Sequence, residues 1–190
     1  MTGNFIINAL LLGVGLAMDA FSVSVANGLE DPKMKKGRMI FIALTFGVFQ
    51  TVMPLLGWFF IHKLAQAFAL FEKFVPYIAL TLLLYIGSKM IYETLAGKNS
   101  EETLGVGDIL VQGIATSIDA LSVGLTIAAY SFEYALSEAL IIGIVTTLIC
   151  IGGVVIGKAG GSRLSDKAGI IGGIVLILVG IRIFIAGVLS

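Results

Sequence analysis

The chain has 190 residues, 58% hydrophobic and only 13% charged, with 12 basic residues balanced by 12 acidic ones. An ordinary soluble domain is about a quarter charged, so this composition excludes a soluble globule, and zero formal net charge leaves nothing to attract nucleic acid. The single cysteine, Cys150, excludes an internal disulfide and a cysteine-based metal cluster, and its apolar surroundings predict a packed side chain.

Apolar runs of about 20 residues, the length that crosses a hydrocarbon core of roughly 30 Å, recur along the chain. The first covers Phe5 to Leu29; it has no basic leader or small-residue cleavage pattern and is expected to be a retained span. The second runs from Arg38 to Ile61 and ends at His62-Lys63, and the third from Val75 to Leu95. A polar linker over 97–107 follows. The fourth run is Val106 to Tyr130, the fifth Tyr134 to Gly157, and the sixth Ala168 to Leu189. Continuous apolar runs predict helices, which satisfy their own backbone in lipid, rather than the short alternating strands of a barrel. The expected fold is an all-α polytopic membrane protein with six transmembrane helices.

Lys33, Lys35, Lys36 and Arg38 lie between the first two spans, Lys98 between the third and fourth, and Lys158, Arg163 and Lys167 between the fifth and sixth. The positive-inside rule puts these loops in the cytoplasm and both termini outside.

The chain repeats itself. Ala17-Met18-Asp19-Ala20-Phe21-Ser22-Val23-Ser24 returns as Ser117-Ile118-Asp119-Ala120-Leu121-Ser122-Val123-Gly124. Gly47, Thr51 and Gly57 return as Gly143, Thr147 and Gly153, and Gly87-Ser88-Lys89-Met90 as Gly180-Ile181-Arg182-Ile183. Residues 1–96 and 108–190 therefore read as two three-helix units. An odd number of spans per unit inverts the second relative to the first, the 3+3 plan of many secondary transporters, whose sites lie near the midplane between the repeats.

Asp19 and Asp119 are the first candidate site residues. A charge at a span centre costs about 2.5–3.5 kcal/mol on insertion scales, and such residues usually bind ions or relay protons. A structural aspartate, protonated or paired with Lys89 or Arg182, is the competing reading; packing alone has no need of a carboxylate in both halves. Thr116, Asp119, Ser122 and Thr126 form one stripe, and Asp19 and Ser22 share a face with Asn27 two turns along. The hydroxyls suit cation coordination and helix packing equally, because they often bond their own backbone. Gln50, Thr51, Thr146 and Thr147 on the second and fifth spans offer neutral oxygens, and Pro54 is placed to free a carbonyl. Met18 is expected to pack, since its counterpart is Ile118. Lys89 and Arg182 either snorkel to the interfaces or pair with the aspartates. Glu30 and Asp31 read as a solvated loop, and His62 as a poor ligand. Two carboxylates with neutral oxygens suit Mg, Ca or Mn rather than copper or zinc. Such a pair holds protons when empty, which makes metal–proton exchange a natural mechanism. No nucleotide motif is present to drive a pump by hydrolysis.

The two aspartate motifs, with Gln50 through Gly57 and Gly87 through Met90, resemble the MntP-type manganese exporters of bacteria, which are related to LysE-type amino-acid exporters. The resemblance covers the whole chain. It implies Mn²⁺ efflux across the inner membrane, with Mn²⁺ as substrate rather than cofactor, no prosthetic group and no enzymatic activity, and it puts the important acids at Asp19 and Asp119. Export of another divalent cation or of a small amino acid is the alternative. A zwitterion would call for broken-helix ends, and the only break signal is Pro54. An intramembrane aspartyl protease would carry Gly-x-Gly-Asp around a catalytic aspartate; the only match, Gly105-Val106-Gly107-Asp108, starts a span and has no repeat partner.

Overall fold

The computed structural model describes residues 2–95, 105–164 and 167–189, and among these every regular element is a helix. In chain order they are α1 (Thr2–Glu30), α2 (Lys36–Leu95), α3 (Val106–Thr116), α4 (Ile118–Thr126), α5 (Phe132–Leu164) and α6 (Ala168–Leu189). The expected linker over 97–107 falls largely, at 97–104, outside the described residues.

Among the described residues three stretches are long and apolar enough to cross a membrane: Phe5–Glu30, Lys36–Ile61 and Phe132–Gly161. The pair α3 and α4, bent by 41°, would make a fourth, whereas Pro76–Tyr92 and Gly169–Ile185 are apolar but shorter. Large apolar side chains such as Leu11, Leu148 and Tyr85 are mostly exposed around the bundle, while Ile42, Phe46, Leu83, Ile86 and Leu176 fill its centre. An outside this apolar is what a lipid environment requires.

The second apolar span ends at Ile61 as expected, but the helix does not end with it: α2 keeps its helical backbone for 60 residues, through His62-Lys63. Residues 61–75 contain neither Gly nor Pro, and a dip in hydropathy is not a helix breaker. A straight helix of this length would reach about 90 Å, some three times the hydrocarbon thickness. Instead α2 folds back. Thr45 and Phe49 border Gly113 of α3, and Lys89 bonds Asp108 of the same short helix. Trp58 donates its indole N–H to the Tyr130 carbonyl (3.1 Å), and the Tyr77 ring packs on Phe184 of α6.

Glycines set how closely the helices approach, because lipid supplies no hydrophobic drive between them and packing must do the work. α1 runs beside α5, with Gly13 against Ile142 and Val145 and Gly153 against Phe21 and Ser24. The first half of α2 runs beside α3 and α4, with Gly113 against Thr45 and Phe49 and Gly57 against Leu121 and Gly124. The second half of α2 lies on α6, where Gly87 meets Gly173 and Ile177. α2 crosses α5 where Gly47 faces Thr147 and Gly143 faces Thr51.

Candidate cation site

Asp19 sits on the buried face of α1 and is 7% exposed. Its Oδ1 accepts a hydrogen bond and ion pair from Arg182 Nη1 of α6. Arg182 reaches in from the periphery, with 63% of its side chain exposed. Of the two basic residues expected as charge partners, Arg182 therefore meets an aspartate of the repeated motif. Lys89 does not, which corrects the expectation for it: Asp108, on the first turn of α3, holds Lys89 Nζ at 3.4 Å. Asp108 also accepts the Gly105 N–H at 3.0 Å. The Gly-x-Gly-Asp match is thus a helix cap joined to an ion pair.

Asp119 stands on the first turn of α4, just past a break in the chain. The sequence shows no Pro or Gly between Ile114 and Leu121, yet the helix stops at Thr116. Ser117 takes φ −108° and ψ 7° and donates its N–H to Ile114 at 3.1 Å, a three-residue step that tightens the end of α3. This corrects the expectation that Pro54 is the only break signal. Pro54 lies inside α2 with no interruption there. The new start at Ile118 turns the positive end of α4 toward Asp119, whose Oδ1 accepts the Ala120 N–H at 2.8 Å. Arg182 thus pairs with Asp19, and both lie in the electrostatic neighbourhood of Asp119.

Two neutral oxygens belong at this level. Gln50 is fully buried and its Nε2 donates to the Leu16 carbonyl, one turn before Asp19, at 3.0 Å. Its Oε1 has no partner. Pro54 carries no N–H, so the Gln50 carbonyl also lacks its helical donor. Thr146, at the position of the second copy that matches Gln50, is fully buried with an unpartnered Oγ1.

The other candidates are placed differently. Thr51 and Thr147 bond the Gly47 and Gly143 carbonyls of their own helices at 2.9 Å and line a 250 Å³ groove on the outer side of the α2–α5 crossing with exposed Leu44, Val48 and Ile144. They serve that crossing rather than the aspartates. Ser22 donates to Met18 (2.9 Å) and Thr116 to Gln112 (2.8 Å), each within its own helix. Ser122 is half-buried one turn past Asp119. Met18 does not pack as expected but stands 37% exposed on the outer face, while Cys150 is buried as expected. Asn27 Nδ2 donates to Gln112 Oε1 at 2.8 Å. Both amides are fully buried, and Asn27 Oδ1 and Gln112 Nε2 have no partner. This pair ties α1 to α3 on the side of the aspartates nearer the Lys33–Arg38 loop. Gln112 escaped the sequence reading because its amide has no repeat partner; a search for every buried amide in an apolar run would have found it.

Among the described residues no group of three or more His, Cys, Asp or Glu could hold a metal ion. A cation at Asp19 and Asp119 must complete its shell with neutral oxygens, the donor set of a hard or borderline divalent ion.

The profile of a family described as "Putative manganese efflux pump" matches residues 33–184. The chain belongs to this family. It is 39% identical over 186 residues to the "Putative manganese efflux pump MntP" of Methanothermobacter thermautotrophicus, covering 96% of this chain and 97% of that one. The protein of the same description from Ruminiclostridium cellulolyticum is 37% identical over 93% of each chain. A Clostridium botulinum relative described as MntP 2 is 39% identical, covering 95% of this chain and 94% of its own. No solved structure matches the chain. Membership of an efflux family and the apolar helices make this a multi-pass membrane protein.

Proposed function

We propose that the protein exports Mn²⁺ from the cytoplasm in exchange for protons, binding the ion between Asp19 and Asp119 and exposing it alternately to the two sides of the inner membrane. The observation that supports this reading is that Asp19 and Asp119, from the two copies of one motif, lie within electrostatic reach of each other and of Arg182. Gln50 Oε1 and Thr146 Oγ1 complete the oxygen set.

Six spans in a 3+3 inverted repeat, with both termini outside, are part of the proposal. Exchanged contacts support it. Gly57 meets Leu121 and Gly124, and its counterpart Gly153 meets Phe21 and Ser24, the counterparts of those two. Gly113 meets Thr45 and Phe49, and its counterpart Gly13 meets Val145, the counterpart of Phe49. Each copy's first span thus packs on the other copy's second span. Rocking one unit against the other would move the wall on one side of the site and then on the other.

The charges suggest how binding and exchange are linked. Two carboxylates neutralise a divalent ion. In its absence Arg182 neutralises one of them and a proton can neutralise the other. Arrival of Mn²⁺ therefore displaces Arg182 and any proton, so that metal and positive charge compete for the same oxygens. Arg182→Gln is expected to destabilise the metal-free protein by an amount between the ~1 kcal/mol of an exposed pair and the ~3–5 kcal/mol of a broken buried one. Added Mn²⁺ should restore its melting temperature more than it raises that of the wild type. Equal Mn²⁺ shifts in both proteins would refute the competition. Lys89→Met, by contrast, should leave transport within about twofold, since its pair with Asp108 is part-exposed and such pairs contribute ~0–1 kcal/mol.

The direct test is uptake of radioactive manganese into inverted vesicles bearing the protein. Uptake should depend on an imposed proton gradient, be competed by other divalent ions, and ignore amino acids. Competition by an amino acid with no manganese accumulation would move the assignment to a zwitterion exporter, for which the helix break at Ser117 is the supporting feature.

A further inference from the structure

A third buried acid lies off the repeated motif. Glu138 of α5 is 6% exposed, and its Oε2 has no hydrogen-bond partner. One turn on either side of it, Ala135 and Ile142 belong to an apolar cluster with Val123 and Ile127, flanked by Leu12, Leu16, Leu55 and Trp58. Four helices, α1, α2, α4 and α5, contribute to that cluster, so Glu138 projects into the seam between them. The cluster fills the half of the bundle opposite the Lys33–Arg38 loop, where Phe5 packs on Tyr134 and Trp58 bonds Tyr130. Thr146, at the level of the aspartates, is on the same face of α5 two turns further in, about 12 Å along the axis.

Packing does not explain a carboxylate here. The matching position of the first copy is Ile42, which is fully buried. The same slot in the same repeated architecture is therefore filled by a hydrocarbon in one half and an acid in the other. An acid with an unpartnered oxygen in an apolar seam is costly. Such residues in membrane helices mark ion pathways. The two sides of the aspartate pair differ accordingly: the Asn27–Gln112 amides stand toward the Lys33–Arg38 loop, and a lone carboxylate among apolar side chains stands toward the other end.

We propose that Glu138 is a second binding position for the divalent cation, on the exit side of the Asp19–Asp119 site. The proposal rests on the export reading given above. One carboxylate with few other donors makes a weak site. Weakness suits an exit, because a multi-ion path needs binding favourable enough to enter and weak enough to leave. The ion moves from the aspartates to Glu138 once the apolar cluster parts, and from there to water.

The test compares wild type, Glu138→Gln and Glu138→Ile in two measurements: Mn²⁺ uptake into inverted vesicles, and equilibrium Mn²⁺ binding to the solubilised protein. Glu138→Ile copies the residue that fills the matching slot, so it keeps the fold if Gln does not. Both variants should bind Mn²⁺ at the aspartate pair with unchanged affinity yet transport it at least about tenfold more slowly. Glu138→Asp should recover part of the rate. Wild-type transport by a folded Glu138→Gln or Glu138→Ile overturns the assignment. If wild type transports Mn²⁺ and Asp19→Asn does not, that failure belongs to Glu138 alone; if wild-type vesicles accumulate no Mn²⁺, the export reading itself falls.

Discussion

Replacing Asp19 or Asp119 with asparagine should cut manganese export by one to two orders of magnitude, about 10–100-fold, while the protein still inserts. Asparagine keeps the volume of aspartate and one oxygen, so the change removes charge with little disturbance of packing. Interactions with a charged group are worth ~1.5–3 kcal/mol each, which puts the expected loss at about 10–100-fold for either variant, read as the initial rate of Mn²⁺ uptake into inverted vesicles. The two variants should differ in stability. Asp119→Asn leaves the Arg182–Asp19 pair in place, whereas Asp19→Asn leaves the guanidinium without its partner. Asp19→Asn should therefore melt lower, and adding Arg182→Gln to it should restore the melting temperature without restoring export. Normal export by both single variants would remove the aspartates from the site altogether.

Hydropathy made the apolar segments legible, and the echo of two eight-residue strings made Asp19 and Asp119 stand out from other polar residues. What was not legible has identifiable physical causes. The continuity of α2 past His62-Lys63 follows from backbone propensity, which a hydropathy profile does not measure. The break at Ser117 has no local signature, because Thr116, Ser117 and Ile118 are ordinary helix-compatible residues with neither Pro nor Gly among them. The partners of Thr51 and Thr147 were ambiguous for a related reason. A hydroxyl on a small-residue face can point to a neighbouring helix or back to its own carbonyl, and only the crossing of α2 and α5 decides. Glu138 and Gln112 were visible as letters, but a search for matching pairs passes over residues that one repeat has and the other lacks. Such unmatched residues are where two halves of one duplicated fold can take on different tasks.

That asymmetry leads to the second large effect, on stability. At the α2–α4 contact a Cβ added to Gly124 would lie 2.5 Å from both Gly57 Cα and Trp58 N, and one added to Gly57 would overlap the Leu121 carbonyl. All of these are backbone atoms, which no side-chain rotation can move aside. The helices would have to separate, so Gly57→Ala and Gly124→Ala should each cost about 1–3 kcal/mol, the usual penalty of overpacking. This outweighs the ~0.5–1 kcal/mol that alanine gains over glycine within a helix. Gly15→Ala and Gly152→Ala, where nothing lies within 4 Å of the added carbon, should keep that gain and melt slightly higher. The matched contact in the other half is looser: the counterpart of Gly124 is Ser24, whose Cβ the structure fits 3.0 Å from a carbon placed on Gly153. Gly124→Ser, which copies the first half's residue into the second, should therefore destabilise despite being native to the matching slot. Thermal unfolding in detergent measures all five variants. If Gly124→Ser were as stable as the wild type, α2 and α4 would be free to part at little cost. The tight contact would then be a poor candidate for the rigid unit that rocking requires.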